Sequence, residues 1–239
     1  MTRKTNARLA GFMFLFYIVT GIANLVLFNR ATSGAPGIDG TAAKLASIAQ
    51  HATTVRVTVL LTLCGFVSAV ALGVTLYALT RDEDRDLALL ALCCRVSEGV
   101  ISAVAAVRGL QLLAIAAATT AVTGTAMAVP DAAATNALGN LLLQQGGLSG
   151  SIAAICFVMG STIFSYLLLR ARSIPVPLAW LGLLASVLLL VALPLELAGV
   201  IKVPFLMWIP MLVFELAFAL WLLIKGVTAP NRQSNQNPT

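Results

Sequence analysis

Arg95, Glu98 and Glu215 each stand inside a long apolar stretch of the chain. Arg95 and Glu98 are separated by three residues, which puts both on one face of a helix, and Ser102, four further on, continues that face. An ionised group facing lipid at the bilayer centre costs on the order of 2.5–3.5 kcal/mol on insertion scales, so this set must face the interior of a bundle. One guanidinium bridging two carboxylates is the simplest arrangement. It leaves a formal charge of −1, which a proton, a sodium ion or a ligand amine would compensate. Three uses of such a cluster stay open: an ionic clasp that fixes helix packing in a structural or regulatory membrane subunit, the polar floor of a binding or translocation site, and a general acid, Glu98 or Glu215, acting on an apolar substrate in an isomerase or cyclase. Tyr17, Thr20 and Tyr166 are further polar candidates inside apolar stretches, and Asn24, Arg56, Arg108 and Glu196 lie where an outward mouth would open.

The elements that must position these groups follow from composition. Of 239 residues, 59% are hydrophobic and 10% charged, against about 45–50% and about 25% in a soluble domain, so a water-soluble globule is excluded. Disorder, collagen and a disulfide-stapled secreted domain go with it, because apolar residues dominate and Cys is sparse. Stretches of roughly 20 apolar residues can cross a hydrocarbon core of about 30 Å. Six are found, at about 9–28, 57–79, 87–107, 148–169, 178–198 and 205–224. The runs are continuous and long, which implies helices instead of barrel strands. The fold predicted is an all-α polytopic bundle. Counted at about 1.5 Å per residue from Leu87, Arg95 and Glu98 lie about 12 Å and 16 Å deep, and Glu215 lies about 15 Å from Lys225. All three fall in one layer.

The connections add detail. Arg3, Lys4 and Arg8 precede an apolar stretch too long for a cleavable signal, so it is read as a retained span. Between the first two spans, Ala42, Leu45, Ile48, Ala49 and Ala52 recur at helical spacing and predict an amphipathic helix on the outer leaflet. Residues 109–129 offer a seventh crossing, but Arg108-Gly109 leaves no room for a turn, so an outward continuation of the third helix is preferred; residues 136–145 predict a second surface helix. Pro210 is expected to kink the sixth span beside Glu215. Gly65, Ala69 and Gly73 form a stripe for close helix packing. The tail, 227–239, reads as disordered.

Other chemistries are excluded. With His51 as the single histidine, neither a multi-histidine metal centre nor a bis-histidine haem can be assembled, so no metal and no cofactor is expected. No glycine-rich phosphate loop follows a strand. Cys64, Cys93, Cys94 and Cys156 all lie inside spans and read as small packing residues. The net charge of +6 comes without the clustered soluble Lys/Arg face that nucleic acid requires. The expected partners are the lipid bilayer and a small amphipathic or lipid-like ligand.

Several segments together carry a family likeness: Ala91-Leu-Cys-Cys-Arg-Val-Ser-Glu98, Tyr166-Leu-Leu-Leu-Arg-Ala-Arg-Ser-Ile-Pro175, Leu178-Ala-Trp-Leu-Gly182 and Trp221-Leu-Leu-Ile-Lys-Gly226. In order and spacing they resemble the uncharacterised bacterial family named domain of unknown function 4386. The resemblance implies a six- or seven-span inner-membrane protein of no settled activity, whose members are alike at the Arg95–Glu98 pair and at Glu215. That family's pattern favours a more polar lead into the fourth span than Gln144-Gln-Gly-Gly-Leu148.

Cations retained on the cytoplasmic side set orientation. An inward N-terminus collects Arg3, Lys4, Arg8, Arg81, Arg85, Arg170, Arg172, Lys225 and Arg232 inside, and leaves Arg30, Lys44, Arg56, Arg108 and Lys202 outside. Both termini are therefore expected in the cytoplasm. A single cysteine introduced at Asp131 should react with an impermeant maleimide added from outside, and one at Asp84 should not; the opposite labelling pattern overturns this topology.

Overall fold

The computed structural model describes residues 2–34, 40–121 and 132–227. Among the described residues there are seven α-helices: α1 (Arg3–Ala31), α2 (Gly40–Gln50), α3 (Ala52–Thr80), α4 (Arg85–Ala121), α5 (Ala132–Arg170), α6 (Val176–Leu197) and α7 (Ile209–Ile224), the last preceded by a 3-10 turn at Phe205–Trp208. Among the described residues there is no strand. Six helices, all but α2, are long and apolar enough to cross a membrane. Residues 122–131, which hold Pro130, Asp131 and the end of the expected outward helix, and the tail from 228 lie outside the described residues.

One expectation about segmentation changes, and one about a kink. The fourth span and the surface helix expected at 136–145 are one helix, α5, of 39 residues. Gly146 and Gly147 do not break it, because Gly inside a helix costs only about 1 kcal/mol. Likewise α4 runs through Arg108-Gly109 to Ala121 without a turn, as the lack of turn residues there required. Pro210 is the second residue of α7 and does not kink it, since the first helical turn has no intrahelical acceptor for that missing N–H.

The chain divides into two compact units, described separately. The first comprises Met1–Leu15, Val70–Val96 and Ile155–Thr239. Its packing relies on positions without side chains. A Cβ at Gly11 of α1 would stand 2.7 Å from the Ala219 carbonyl oxygen, and one at Gly182 of α6 would overlap the Phe214 ring. These two glycines let α1 and α6 close on α7, where Phe14 meets Phe218 edge-on at 5.5 Å and Phe214 stacks on Phe218 at 5.4 Å. At the charged end, Arg3 donates to the Leu79 carbonyl at 3.2 Å and lies 3.6 Å from Asp82. Asp84 caps α4 by accepting the Leu87 N–H at 3.0 Å.

The second unit comprises Phe16–Ala69 and Ser97–Ala154. Here the stripe on α2 is covered by protein instead of lying on the lipid surface. Leu45 and Ile48 join Ala31, Val55, Leu112, Ala116 and Leu142 in one buried cluster. The buried face is turned slightly from the expected one, taking in Ala43 and Ser47. Burying apolar area against α3, α4 and α5 removes it from water as effectively as lipid would.

The small-residue stripe on α3 divides. Gly73 meets Leu92 and Arg95, and Ala69 packs toward Gly99, but a Cβ at Gly65 would meet nothing within 4 Å. Gly11→Ala should therefore lower stability by about 1–3 kcal/mol through overpacking against backbone that cannot move aside. Gly65→Ala should leave the thermal melt in detergent unchanged. Equal shifts for the two variants would contradict this account.

Candidate functional site

Arg95 belongs to the first unit and is 1% exposed. Its burial is prepared by its neighbours. A Cβ at Gly73 would stand 3.1 Å from the Arg95 Cβ, and one at Gly160 would stand 3.4 Å from its Cδ, so α3 and α5 both approach the arginine stem through a missing side chain. The guanidinium carbon then lies 4.9 Å over the centroid of the Phe157 ring. A cation over an aromatic face gains about 0.5–2 kcal/mol, more as water is removed. Glu215, in the same unit, is 6% exposed and occupies the buried face of α7 with Met211, Phe214 and Phe218.

Glu98 belongs to the second unit and is 3% exposed. The Tyr17 hydroxyl donates to its Oε1. Two residues chosen for chemistry on different apolar stretches are thus brought together. Thr20 instead turns its hydroxyl to its own helix, donating to the Phe16 carbonyl at 2.8 Å. Tyr166 is 42% exposed, so it lies on the outer face of α5 and is not brought to the charged residues; the inward position on that turn is Ser165. Glu196 accepts the Val203 N–H at 3.0 Å and so fastens the turn after α6 instead of lining a mouth, and Arg56 is exposed.

One helical turn along α4 from Glu98, Ser102 lines a cavity of about 260 Å³ wholly within the second unit. Gly21, one turn along α1 from Tyr17, lines it too. The cavity therefore begins next to the Tyr17–Glu98 hydrogen bond. Asn24, Thr58, Thr62, Arg108 and Ser149 supply the rest of its polar surface. Asn24 donates to the Thr62 hydroxyl at 3.3 Å, while Thr58 and Thr62 donate to backbone carbonyls of α3 at 2.7 Å and 2.9 Å. Asn24 and Arg108 were legible as mouth residues by their depth. Thr58, Thr62 and Ser149 were not, and the signal for them is their position one or two turns from polar residues at matching depth on α1 and α4. Neither Glu98 nor Glu215 lines this cavity, and among the described residues no group of His, Cys, Asp and Glu is placed to hold a metal.

Six spanning helices define an integral, multi-pass membrane protein. Over residues 9–226 the chain matches the family described as a domain of unknown function (DUF4386), and it belongs to that family. Neither a curated protein nor a solved structure matches it.

Arg95→Ala should destabilise strongly, by about 3–5 kcal/mol, because the contact over Phe157 is lost and a cavity is left between Gly73 and Gly160. Denaturant titration in mixed micelles measures this. Glu215→Gln keeps the shape of its side chain, so a loss as severe as that of Arg95→Ala would assign Glu215 a structural role as its partner.

Proposed function

We propose that this member of the DUF4386 family binds a small amphipathic solute inside the membrane, with the cavity beside Ser102 as its pocket and the Tyr17–Glu98 pair one helical turn beyond its lining, and that transport of that solute is the wider activity. The observation that carries this reading is the position of the cavity: it opens one turn from a buried carboxylate that a tyrosine hydroxyl already orients. A few convergent polar groups beside apolar wall is the pattern of small-molecule sites. In this reading Arg95 and Glu215 serve helix packing within the first unit. The protein resides in the bacterial cytoplasmic membrane with both termini inside, a reading supported by the cation asymmetry.

Filling the pocket tests this proposal. Ser102→Leu adds apolar bulk to the cavity wall while leaving Tyr17 and Glu98 intact. Saturable binding of radiolabelled monolauroylglycerol to the protein in phosphatidylcholine nanodiscs is expected for the unmodified chain and should be lost in Ser102→Leu, with the thermal melt unchanged. Undiminished binding in Ser102→Leu, or no saturable binding to the unmodified chain, overturns the reading.

A further inference from the structure

Arg108 presents a problem that the solute pocket answers. The Nε and Nη1 atoms of its guanidinium are inaccessible to solvent and take no hydrogen-bond acceptor among the described residues. Arginine does not lose its proton in a protein, so the charge cannot be removed by titration. Among the described residues, no Asp or Glu lines the cavity into which Arg108 is set. The other cavity differs: about 620 Å³ and lined by Arg3, Asn6 and Asp82, it contains its own counter-charge, since Arg3 lies 3.6 Å from Asp82.

The local backbone is shaped around the cation. A Cβ at Gly146 of α5 would collide with the Arg108 guanidinium, so the tip of the arginine occupies the space that a side chain there would take. Arg108 and Ser102 both line the cavity. Asn24, Thr62 and Ser149 complete a neutral, hydrogen-bonding lining.

Depth narrows the ligand further. At about 1.5 Å per residue, Arg108 lies roughly 35 Å along α4 from Arg85, just beyond a hydrocarbon core of about 30 Å and at the level of lipid headgroups. A volume of about 260 Å³ is slightly below the usual range of about 300–1,000 Å³ for whole ligands, which suits a headgroup whose tail remains in the lipid.

From these features we infer that the cavity is an anion site, in which Arg108 holds the phosphate or carboxylate head of the amphipathic solute. This rests on the solute-binding proposal and gives its ligand a charge. The head group supplies the negative charge that the cavity lining lacks, and the guanidinium suits either oxyanion. The lipid-borne and the free anion share this chemistry.

The test uses the full chain in neutral phosphatidylcholine nanodiscs, with dodecyl phosphate, dodecyltrimethylammonium, monolauroylglycerol and inorganic phosphate as probes in calorimetric titration. Dodecyl phosphate should bind at least about tenfold more tightly than the cationic amphiphile. Arg108→Gln should remove that preference, so that dodecyl phosphate binds no more tightly than dodecyltrimethylammonium. Gly146→Ala, which keeps the charge but displaces the guanidinium, should produce the same selective loss and serves if Arg108→Gln fails to fold. Competition by inorganic phosphate assigns the site to a free anion, and its absence to a membrane-borne one; both support an anion site. Equal binding of the anionic and cationic amphiphiles, or an anion preference that survives both substitutions, overturns the anion assignment and leaves the pocket standing. No binding of any amphiphile overturns the pocket as well.

Discussion

A guanidinium that cannot be neutralised must be sheltered wherever the chain carries it, and Arg95 is carried into the middle of a membrane-spanning helix. Much of the first unit can be understood from that requirement. Gly73 and Gly160 give up their side chains so that two helices can close over the arginine stem. Phe157 lays an electron-rich ring under the charge. In a membrane, where lipid tails give helices no hydrophobic reason to associate, such close backbone approach is itself a main source of attraction. The same device recurs at Gly11 and Gly182, where helices close on an aromatic stack instead of a cation.

The second unit treats its cation differently. Arg108 is admitted by a glycine, as Arg95 is, but it faces open volume lined by hydroxyls and an amide. An enclosed charge packed against protein serves packing, and an enclosed charge facing a cavity is poised for something that enters. The carboxylate of Glu98 stands between these extremes, oriented by Tyr17 and adjacent to the cavity without lining it.

Much of this was legible in the sequence because membrane thickness turns residue number into depth. The six spans, the burial of Arg95, Glu98 and Glu215, and the placing of Asn24 and Arg108 near one end all follow from about 1.5 Å per residue and the cost of exposing charge to lipid. What was not legible depends on azimuth, the direction a residue faces around its helix. Tyr166 lies within the fourth span and still faces outward, and Gly65 continues a stripe whose other members are packed while meeting no neighbour itself. Nor does local composition reveal tertiary support: Gln144-Gln-Gly-Gly-Leu148 looks like a break, yet α5 runs through it, with Gly146 against the Arg108 guanidinium.

Arg95 lies roughly 15 Å along α4 from Arg85, about half the thickness of the hydrocarbon core. A transmembrane voltage falls across that same thickness, at about 2.3 kcal/mol per elementary charge per 100 mV for the full drop. A unit charge at the depth of Arg95 therefore feels about half of it, roughly 1 kcal/mol per 100 mV, whereas one at the headgroup level of Arg108 stands outside nearly all of the field. At these depths the two arginines are electrically unequal, one within the membrane's dielectric and the other at its edge.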